Sequence, residues 1–151
     1  MSLVYLCYTD GSCRHSQQDV GGWGLVLKSP RGEIVEKFGG IRKTTSCAME
    51  LTAILEALSL LPAGASAIIF SDSVSAIDLC TKQIAIWKKS EWRNCGLVAD
   101  EMQLLQRVDH LLAEKALKLE WKWIRAHNGN AGNERADALA KQGLREVARE
   151  T

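Results

Sequence analysis

The stretch Val4-Tyr5-Leu6-Cys7-Tyr8-Thr9-Asp10 is an apolar and aromatic run that ends in an acid. A continuous apolar run predicts a buried strand, here over about residues 3 to 9. A second run, Ala67-Ile68-Ile69-Phe70, follows the same pattern and is closed, after one serine, by Asp72. Open α/β sheets bind ligands at the carboxyl ends of their strands, so the two acids indicate a candidate site at that edge.

Turn residues, caps and hydrophobic periodicity define the remaining elements. They predict strands at 22–28 and 33–38 joined by the turn at 29–32, a helix from a cap at 44–46 to about 61, a strand at 66–71, helical segments at 73–80, 82–90 and 100–115, a strand at 118–123, and a last helix that is capped by Asn133 and reaches about Arg149. This order predicts an α/β fold with a mixed five-stranded sheet. The first three strands form an antiparallel meander, the fourth and fifth run parallel, and helices pack on both faces. With 151 residues and 46% apolar content, the chain is predicted to form a single domain over 1–151.

The composition argues against several classes of protein. The five cysteines form an odd set without a C-x-x-C pair, which disfavours a disulfide framework and a zinc knuckle and favours a reducing, cytoplasmic setting. No stretch approaches membrane-spanning length, so we predict neither secretion nor membrane insertion. The formal net charge is +1, and neutralising buried acids with cations would leave a modestly basic remainder that suits a polyanion.

Four acids lie where a domain of this size normally has apolar or turn residues: Asp10, Glu50, Asp72 and Asp137. Glu50 belongs to the helical row Glu50, Ala53, Ile54, Ala57, whose small apolar members predict contact with the sheet. Asp137 is predicted in the first turn of the last helix. Taken singly, each acid can be explained as a strand-ending turn residue, a helix-start acid or the partner of a lysine. Taken together, buried carboxylates require cations or Lys/Arg partners.

The ligand chemistry of these acids indicates a hard cation. Oxygen ligands without a Cys/His cluster select Mg²⁺ or Mn²⁺ over zinc. Two such ions, bridged by carboxylates at about 3.5 to 4 Å, can hold a water nucleophile on one side of a phosphodiester and the leaving oxygen on the other. The four acids together therefore predict phosphodiester hydrolysis.

Several motifs in this chain resemble a known family in order and spacing. They are Tyr8-Thr9-Asp10-Gly11-Ser12-Cys13, Thr44-Thr45-Ser46-Cys47-Ala48-Met49-Glu50-Leu51, Ser71-Asp72-Ser73, Ala126-His127-Asn128-Gly129 and Asn133-Glu134-Arg135-Ala136-Asp137-Ala138-Leu139-Ala140. The chain closely resembles type 1 ribonuclease H over nearly its whole length. The resemblance implies a ribonuclease H-like fold and a cytoplasmic, monomeric enzyme that binds RNA/DNA hybrids. Such an enzyme cleaves the RNA strand independently of sequence with two Mg²⁺ ions, or Mn²⁺ as a substitute, leaving 5′-phosphate and 3′-hydroxyl ends.

The same resemblance implies roles for individual residues. Asp10 would bridge both metals, Glu50 and Asp72 would complete their coordination, and Asp137 would hold the metal nearer the attacking water. His127 matches the family's mobile-loop histidine, which helps proton movement or product release. These five residues are the predicted catalytic set.

Substrate contacts are also implied by the resemblance. The RNA strand and minor groove would be contacted by Gly11, Ser12, Cys13, Ser46 and Met49, the substrate backbone by Arg42, Lys43, Thr45 and Asn133, and the DNA strand by a basic protrusion that contains Trp87, Lys88, Lys89, Trp92 and Arg93. The alternative for this last segment is a solvated helix end whose tryptophans lie in the core.

The chain departs from the family's pattern in side chains that would contact the hybrid. The departures are at Ser46, Cys47 and Val74, in the loop 15–18, and beyond Arg93, where further lysines are missing. They predict weaker substrate binding, with a changed rate, site preference or metal preference.

Two alternatives to an active hybrid-specific nuclease stay open at this point. One is a noncatalytic hybrid-binding module, which the intact set of four acids disfavours. The other is a DNA nuclease or strand-transferase of the same general fold, which the His127 loop and the spacing of the acids disfavour.

Overall fold

The computed structural model describes residues 3–14, 19–93, 95–126 and 128–150. The strands in these ranges are β1 (Val4–Arg14), β2 (Val20–Lys28), β3 (Ile34–Ile41), β4 (Ser66–Ser71) and β5 (Lys118–Trp123). The helices are α1 (Ser46–Leu60), α2 (Val74–Asp78), α3 (Ile84–Lys89), α4 (Ala99–Glu114) and α5 (Ala131–Arg149), and a π-helical stretch, Leu79–Gln83, joins α2 to α3. None of the described helices is long and apolar enough to cross a membrane.

The strands form one mixed sheet in the order β3-β2-β1-β4-β5. β1 pairs antiparallel with β2, and β2 with β3, whereas β4 runs parallel to β1 and β5 parallel to β4. The predicted sheet is therefore confirmed. β1 is longer than expected, because its pairing with β2 continues to Arg14 after its pairing with β4 ends at Tyr8. Asp10 consequently lies inside β1, opposite Gly24, and the expectation that it closes the strand is wrong.

α1 and α5 lie on opposite faces of the sheet, as two adjacent glycines of β2 show. A Cβ atom on Gly21 would lie 2.7 Å from Met49 Cγ of α1, whereas one on Gly22 would run into the backbone of α5 at Ala140 and Leu144. Successive residues of a strand point to opposite faces, so the two helices enclose the sheet between them. α5 lies especially close to β2, because the backbone of the helix contacts the backbone of the strand at Gly22.

Side-chain hydrogen bonds fix both ends of α1. At its start, the Thr45 hydroxyl accepts the N–H of Ala48 at 3.0 Å, which confirms an N-cap in the predicted stretch 44–46. At its end, the ammonium of Lys115 donates to the carbonyls of Leu58, Ser59 and Leu61 at 3.1, 2.8 and 2.7 Å. The row Glu50, Ala53, Ile54, Ala57 is buried as predicted.

The last helix starts earlier than the sequence pattern indicates. Its cap is Asn130, whose side chain accepts the N–H of Asn133 at 2.9 Å, so the prediction of Asn133 as the cap is wrong. Either asparagine could serve chemically, but Asn133 is buried at 2% exposure and helical in conformation. The helix therefore begins at Ala131, and Asp137 lies in its second turn rather than its first.

Candidate active site and metal centre

Three of the predicted acids meet at the edge of the sheet. Carboxylate oxygens of Asp10, Glu50 and Asp72 all lie within 4.8 Å of one another. The register explains the meeting of the two strand residues: Tyr8 pairs with Phe70 in the parallel β1–β4 ladder, so the residues two positions further on lie side by side. Glu50 joins them from the buried row of α1. Asp10 and Glu50 are only 4% and 9% exposed, so these charges are largely removed from water.

Gly11 holds two of these carboxylates through its backbone. Its N–H donates to Asp10 Oδ1 at 2.9 Å and to Glu50 Oε1 at 3.1 Å. A Cβ atom on Gly11 would lie 2.6 Å from the backbone N of Glu50 and 2.7 Å from the carbonyl carbon of Met49. Only glycine therefore lets β1 come close enough to α1 for one amide to orient both acids.

The electrostatics of the cluster favour a bound cation. Burial, followed by the neighbouring charge of Asp72, raises the pKa of Asp10, and burial together with Asp10 raises the pKa of Glu50. Glu50 Oε2 is buried and has no hydrogen-bond partner among the described residues. A buried carboxylate oxygen without a donor is costly, and a divalent cation would satisfy it. The three acids therefore fit a hard metal ion.

Asp137 lies next to this group but has a partner of its own. Its carboxyl group lies close enough to that of Asp10 to help raise the pKa of Asp10, after burial and the charge of Asp72. Its Oδ2 lies 3.0 Å from Nζ of Lys141, one helical turn further along α5. The structure thus brings the fourth acid to Asp10, with one oxygen paired to a lysine.

Comparison with known proteins shows which family has this arrangement of fold and acids. The RNase H family model matches residues 3–145. The chain belongs to the RNase H family. It is 41% identical over 138 residues to Ribonuclease H of Polaromonas naphthalenivorans (strain CJ2), a match that covers 91% of this chain and 84% of the relative.

Solved RNase H structures share the fold. LC9-RNase H1, a type 1 RNase H with the type 2 active-site motif, superimposes with a TM-score of 0.81 at 23% identity, over 97% of this chain and 74% of that one. The foamy viral protease-reverse transcriptase in complex with an RNA/DNA hybrid gives a TM-score of 0.77 at 19% identity, over 97% of this chain and 20% of that one. These likenesses confirm the predicted RNase H fold.

The substrate contacts expected of an RNase H occupy different environments. Gly11, Ser12 and Cys13 lie half-buried on β1, Thr45 is half-buried, and Lys43 and Ser46 are exposed. The side chains of Met49 and Asn133 are buried, at 0% and 2% exposure, so neither is presented at the surface. Arg42 Nη2 donates to the carbonyls of Val147 and Glu150 at 2.6 and 2.7 Å, and thereby holds the end of α5.

The protrusion expected of an RNase H combines packed tryptophans with exposed cations. The Trp87 and Trp92 ring centroids are 6.3 Å apart, and both rings pack on the core. The N–H of Trp92 donates to the carbonyl of Trp87 at 2.7 Å, which closes the turn after α3. Lys88 pairs with Asp109 at 3.3 Å, whereas Lys89 is exposed and Arg93 lies at the surface 3.5 Å from Glu91. The tryptophans therefore brace the segment and its cations face solvent.

Two residues near the RNase H site were missed by sequence reasoning. Glu101 is a buried acid on α4 that accepts a hydrogen bond from Thr45, and its only signal in the sequence was an acid in the first turn of a helix. Trp123 donates its indole N–H to the backbone of Asp72, which the alternating pattern of β5 could not reveal. The predicted catalytic residue His127 and the loop 15–18 lie outside the described residues.

Proposed function

We propose that this chain hydrolyses the RNA strand of RNA/DNA hybrids, independently of base sequence, and leaves 5′-phosphate and 3′-hydroxyl ends. The observation that carries the proposal is the meeting of Asp10, Glu50 and Asp72 in a chain that belongs to the RNase H family. The relatives that bear the name Ribonuclease H match it at about 40% identity over most of its length, which supports the same activity here. The hybrid is the proposed partner, and the chain is proposed to act as a monomer.

The proposed cofactor is Mg²⁺, with Mn²⁺ as a substitute, in a two-ion site. Asp10, Glu50, Asp72 and Asp137 would hold the ions, and the unpartnered Oε2 of Glu50 supports this assignment. When bound, two such ions supply an activated water and neutralise the charge that develops on the leaving oxygen. A hard, oxygen-only ligand set supports Mg²⁺ rather than zinc.

The chain's own residues prepare this site before the substrate arrives. The Gly11 amide fixes the orientation of Asp10 and Glu50, and the indole of Trp123 fixes the backbone of Asp72. Preorganised acids need no rearrangement during the reaction, which is the main way such sites gain rate. Lys43 and Thr45 lie just before α1, where they would contact the substrate backbone, and Ser46 begins the helix, where it would contact the RNA strand and minor groove. His127 is proposed to assist proton movement or product release.

The test is a cleavage assay with three labelled substrates: RNA/DNA hybrid, duplex RNA and duplex DNA, each with Mg²⁺, Mn²⁺ or EDTA. We expect cleavage of the hybrid's RNA strand with either metal and none in EDTA. Asp10→Asn should abolish cleavage, whereas Asp78→Asn, a surface acid paired with Lys82, should not. Hybrid binding without cleavage in either metal would indicate a binding module, and cleavage of duplex DNA would indicate a DNA nuclease.

A further inference from the structure

Glu101 is a buried acid that the proposed reaction does not use. It lies in the first turn of α4 and is 9% exposed. Its Oε2 accepts the hydroxyl hydrogen of Thr45 at 2.6 Å, a contact between residues 56 positions apart. The same carboxylate lies near the Cys47 thiol, whose pKa is raised by burial and then by this charge. A negative charge is thus held against the start of α1.

This contact consumes the hydrogen-bonding capacity of Thr45 toward anions. A threonine hydroxyl has one hydrogen to donate. In this structure that hydrogen goes to Glu101, while the oxygen accepts the N–H of Ala48 as the cap of α1. An anion that approached Thr45 would therefore find no free O–H donor and would face a carboxylate.

The surroundings are otherwise suited to an anion. A cavity of about 270 Å³ lies beside this contact, between the β3–α1 loop, α1 and α4, and its charged lining consists of Arg42, Lys43 and Arg107 with one acid, Asp100. Thr44 and Asp100, the chain neighbours of Thr45 and Glu101, also line it. Thr45 caps the helix that carries Glu50 and precedes that acid by five residues, which is about 8 Å along the helix axis. A duplex cut at the cluster carries its phosphates past this point. The basic lining attracts them, and Glu101 opposes them.

We propose that Glu101 sets the affinity of this chain for its substrate, because its carboxylate occupies the Thr45 donor that a phosphate of the bound hybrid would otherwise take. The inference rests on the proposed function, since Thr45 and Lys43 meet a phosphate only if a nucleic acid is the substrate. Glu101 is a specificity-determining residue rather than a catalytic one. It lowers the strength of substrate binding and leaves the acid cluster intact.

The test is a substitution that removes the negative charge of residue 101 and keeps the size of its side chain. Glu101→Gln removes the negative charge and releases the Thr45 hydroxyl more easily to a phosphate, because a neutral amide oxygen is a weaker acceptor than a carboxylate. We expect KM for the hybrid to fall roughly tenfold with kcat unchanged, as for the gain of one charge-assisted contact. In EDTA, anisotropy of a labelled hybrid should show tighter binding, with a slope of log K against log salt that steepens by about 0.7 to 0.9.

The matched control is Glu114→Gln, which removes the same charge from an exposed position at the far end of α4, about 20 Å away. It should change neither KM nor the salt slope. Equal tightening by both variants, or unchanged or weaker binding by Glu101→Gln, would overturn the proposal.

Thermal melting reports whether Glu101→Gln folds. If it does not, Glu101→Ala carries the same expectation of tighter binding. Failure of the unaltered chain to cleave hybrid would instead count against the proposed function.

Discussion

The indole Nε1–H of Trp123 donates a hydrogen bond of 3.1 Å to the backbone carbonyl of Asp72. Trp123 is the last residue of β5 and pairs with Ser71, so the edge strand supports the turn that carries the third acid. The N–H of Ile124 adds a bond of 3.0 Å to the carbonyl of Ser71. The position of a carboxylate that is proposed to bind metal therefore depends on a residue 51 positions away.

Trp123→Phe should weaken metal binding more than it weakens the fold. The substitution removes one hydrogen bond worth about 1 kcal/mol from a side chain that is 51% exposed. Loss of the bond frees the Asp72 turn, so we expect the Mg²⁺ concentration for half-maximal cleavage to rise several-fold. Trp121→Phe, on the same strand and packed on the core, should lower the melting temperature without this shift. An unchanged metal requirement in Trp123→Phe would contradict the positioning role.

Glu50→Gln should stabilise the metal-free protein at neutral pH. Burial and Asp10 raise the pKa of Glu50, so between about pH 4 and its folded pKa the native state binds more protons than the unfolded state. The free energy of unfolding of the unaltered protein therefore falls as pH rises through this window. We expect the variant to be about 1 to 3 kcal/mol more stable at pH 7, and the difference to vanish below pH 4.

Urea unfolding in EDTA at several pH values measures this effect. Added Mg²⁺ should stabilise the unaltered protein more than the variant, because the variant lacks a ligand. Glu120→Gln, at an exposed position of β5, serves as the control and should show neither effect. If the free energy of unfolding of the unaltered protein and of Glu50→Gln depended on pH in the same way, the pKa of Glu50 would not be raised in the folded state.

Lys115→Met should destabilise the fold and leave catalysis unchanged. The Lys115 ammonium donates to three carbonyls at the end of α1, where the helix dipole favours a positive charge. Removing it leaves part-buried carbonyls without a donor, which costs about 1 to 3 kcal/mol. Urea unfolding measures the loss, and kcat should be unaffected. Lys118→Met, an exposed neighbour, should cost far less, and a similar cost in both variants would refute the capping role.

Substitutions in the protrusion should distinguish residues that stabilise the fold from residues that bind the hybrid. Lys89→Ala should weaken hybrid binding several-fold and make the salt slope shallower by about 0.7 to 0.9, as for one lost phosphate contact. Trp92→Ala should instead lower stability by roughly 3 kcal/mol, because its ring packs on Trp87 and the core. Anisotropy and urea unfolding distinguish the two effects. A Lys89→Ala variant with unchanged binding would indicate a merely solvated helix end.

The meeting of the acids could be predicted because each acid lies beside a short apolar pattern in the sequence that predicts a strand or a helix face. The apolar runs before Asp10 and Asp72 fix two neighbouring strands, and the small residues around Glu50 fix the buried face of a helix. The motifs shared with the RNase H family then supplied the roles, which stay predictions for the individual residues. A single domain over 1–151, a monomeric state and a cytoplasmic setting also stay predictions.

The features that sequence reasoning missed depend on contacts between distant parts of the chain. The extension of β1 to Arg14 comes from pairing with β2, since the residues after Asp10 are not an apolar run. The choice of Asn130 over Asn133 as the cap depends on which asparagine is buried. The bond of Thr45 to Glu101 joins two helices whose packing no single stretch of sequence encodes.

The contact of α5 with bare backbone has a consequence for the fourth acid. A Cβ atom on Gly24 would lie 2.6 Å from the carbonyl oxygen of Ala136, and one on Gly22 or Gly143 would collide with the opposing main chain. At these three glycines the helix rests on main chain, so repacking of side chains cannot adjust its height above the sheet there. Substitutions on the outer surface of α5 leave this backbone contact in place, whereas a single added methyl group beneath the helix would lift the Asp137 carboxylate away from Asp10.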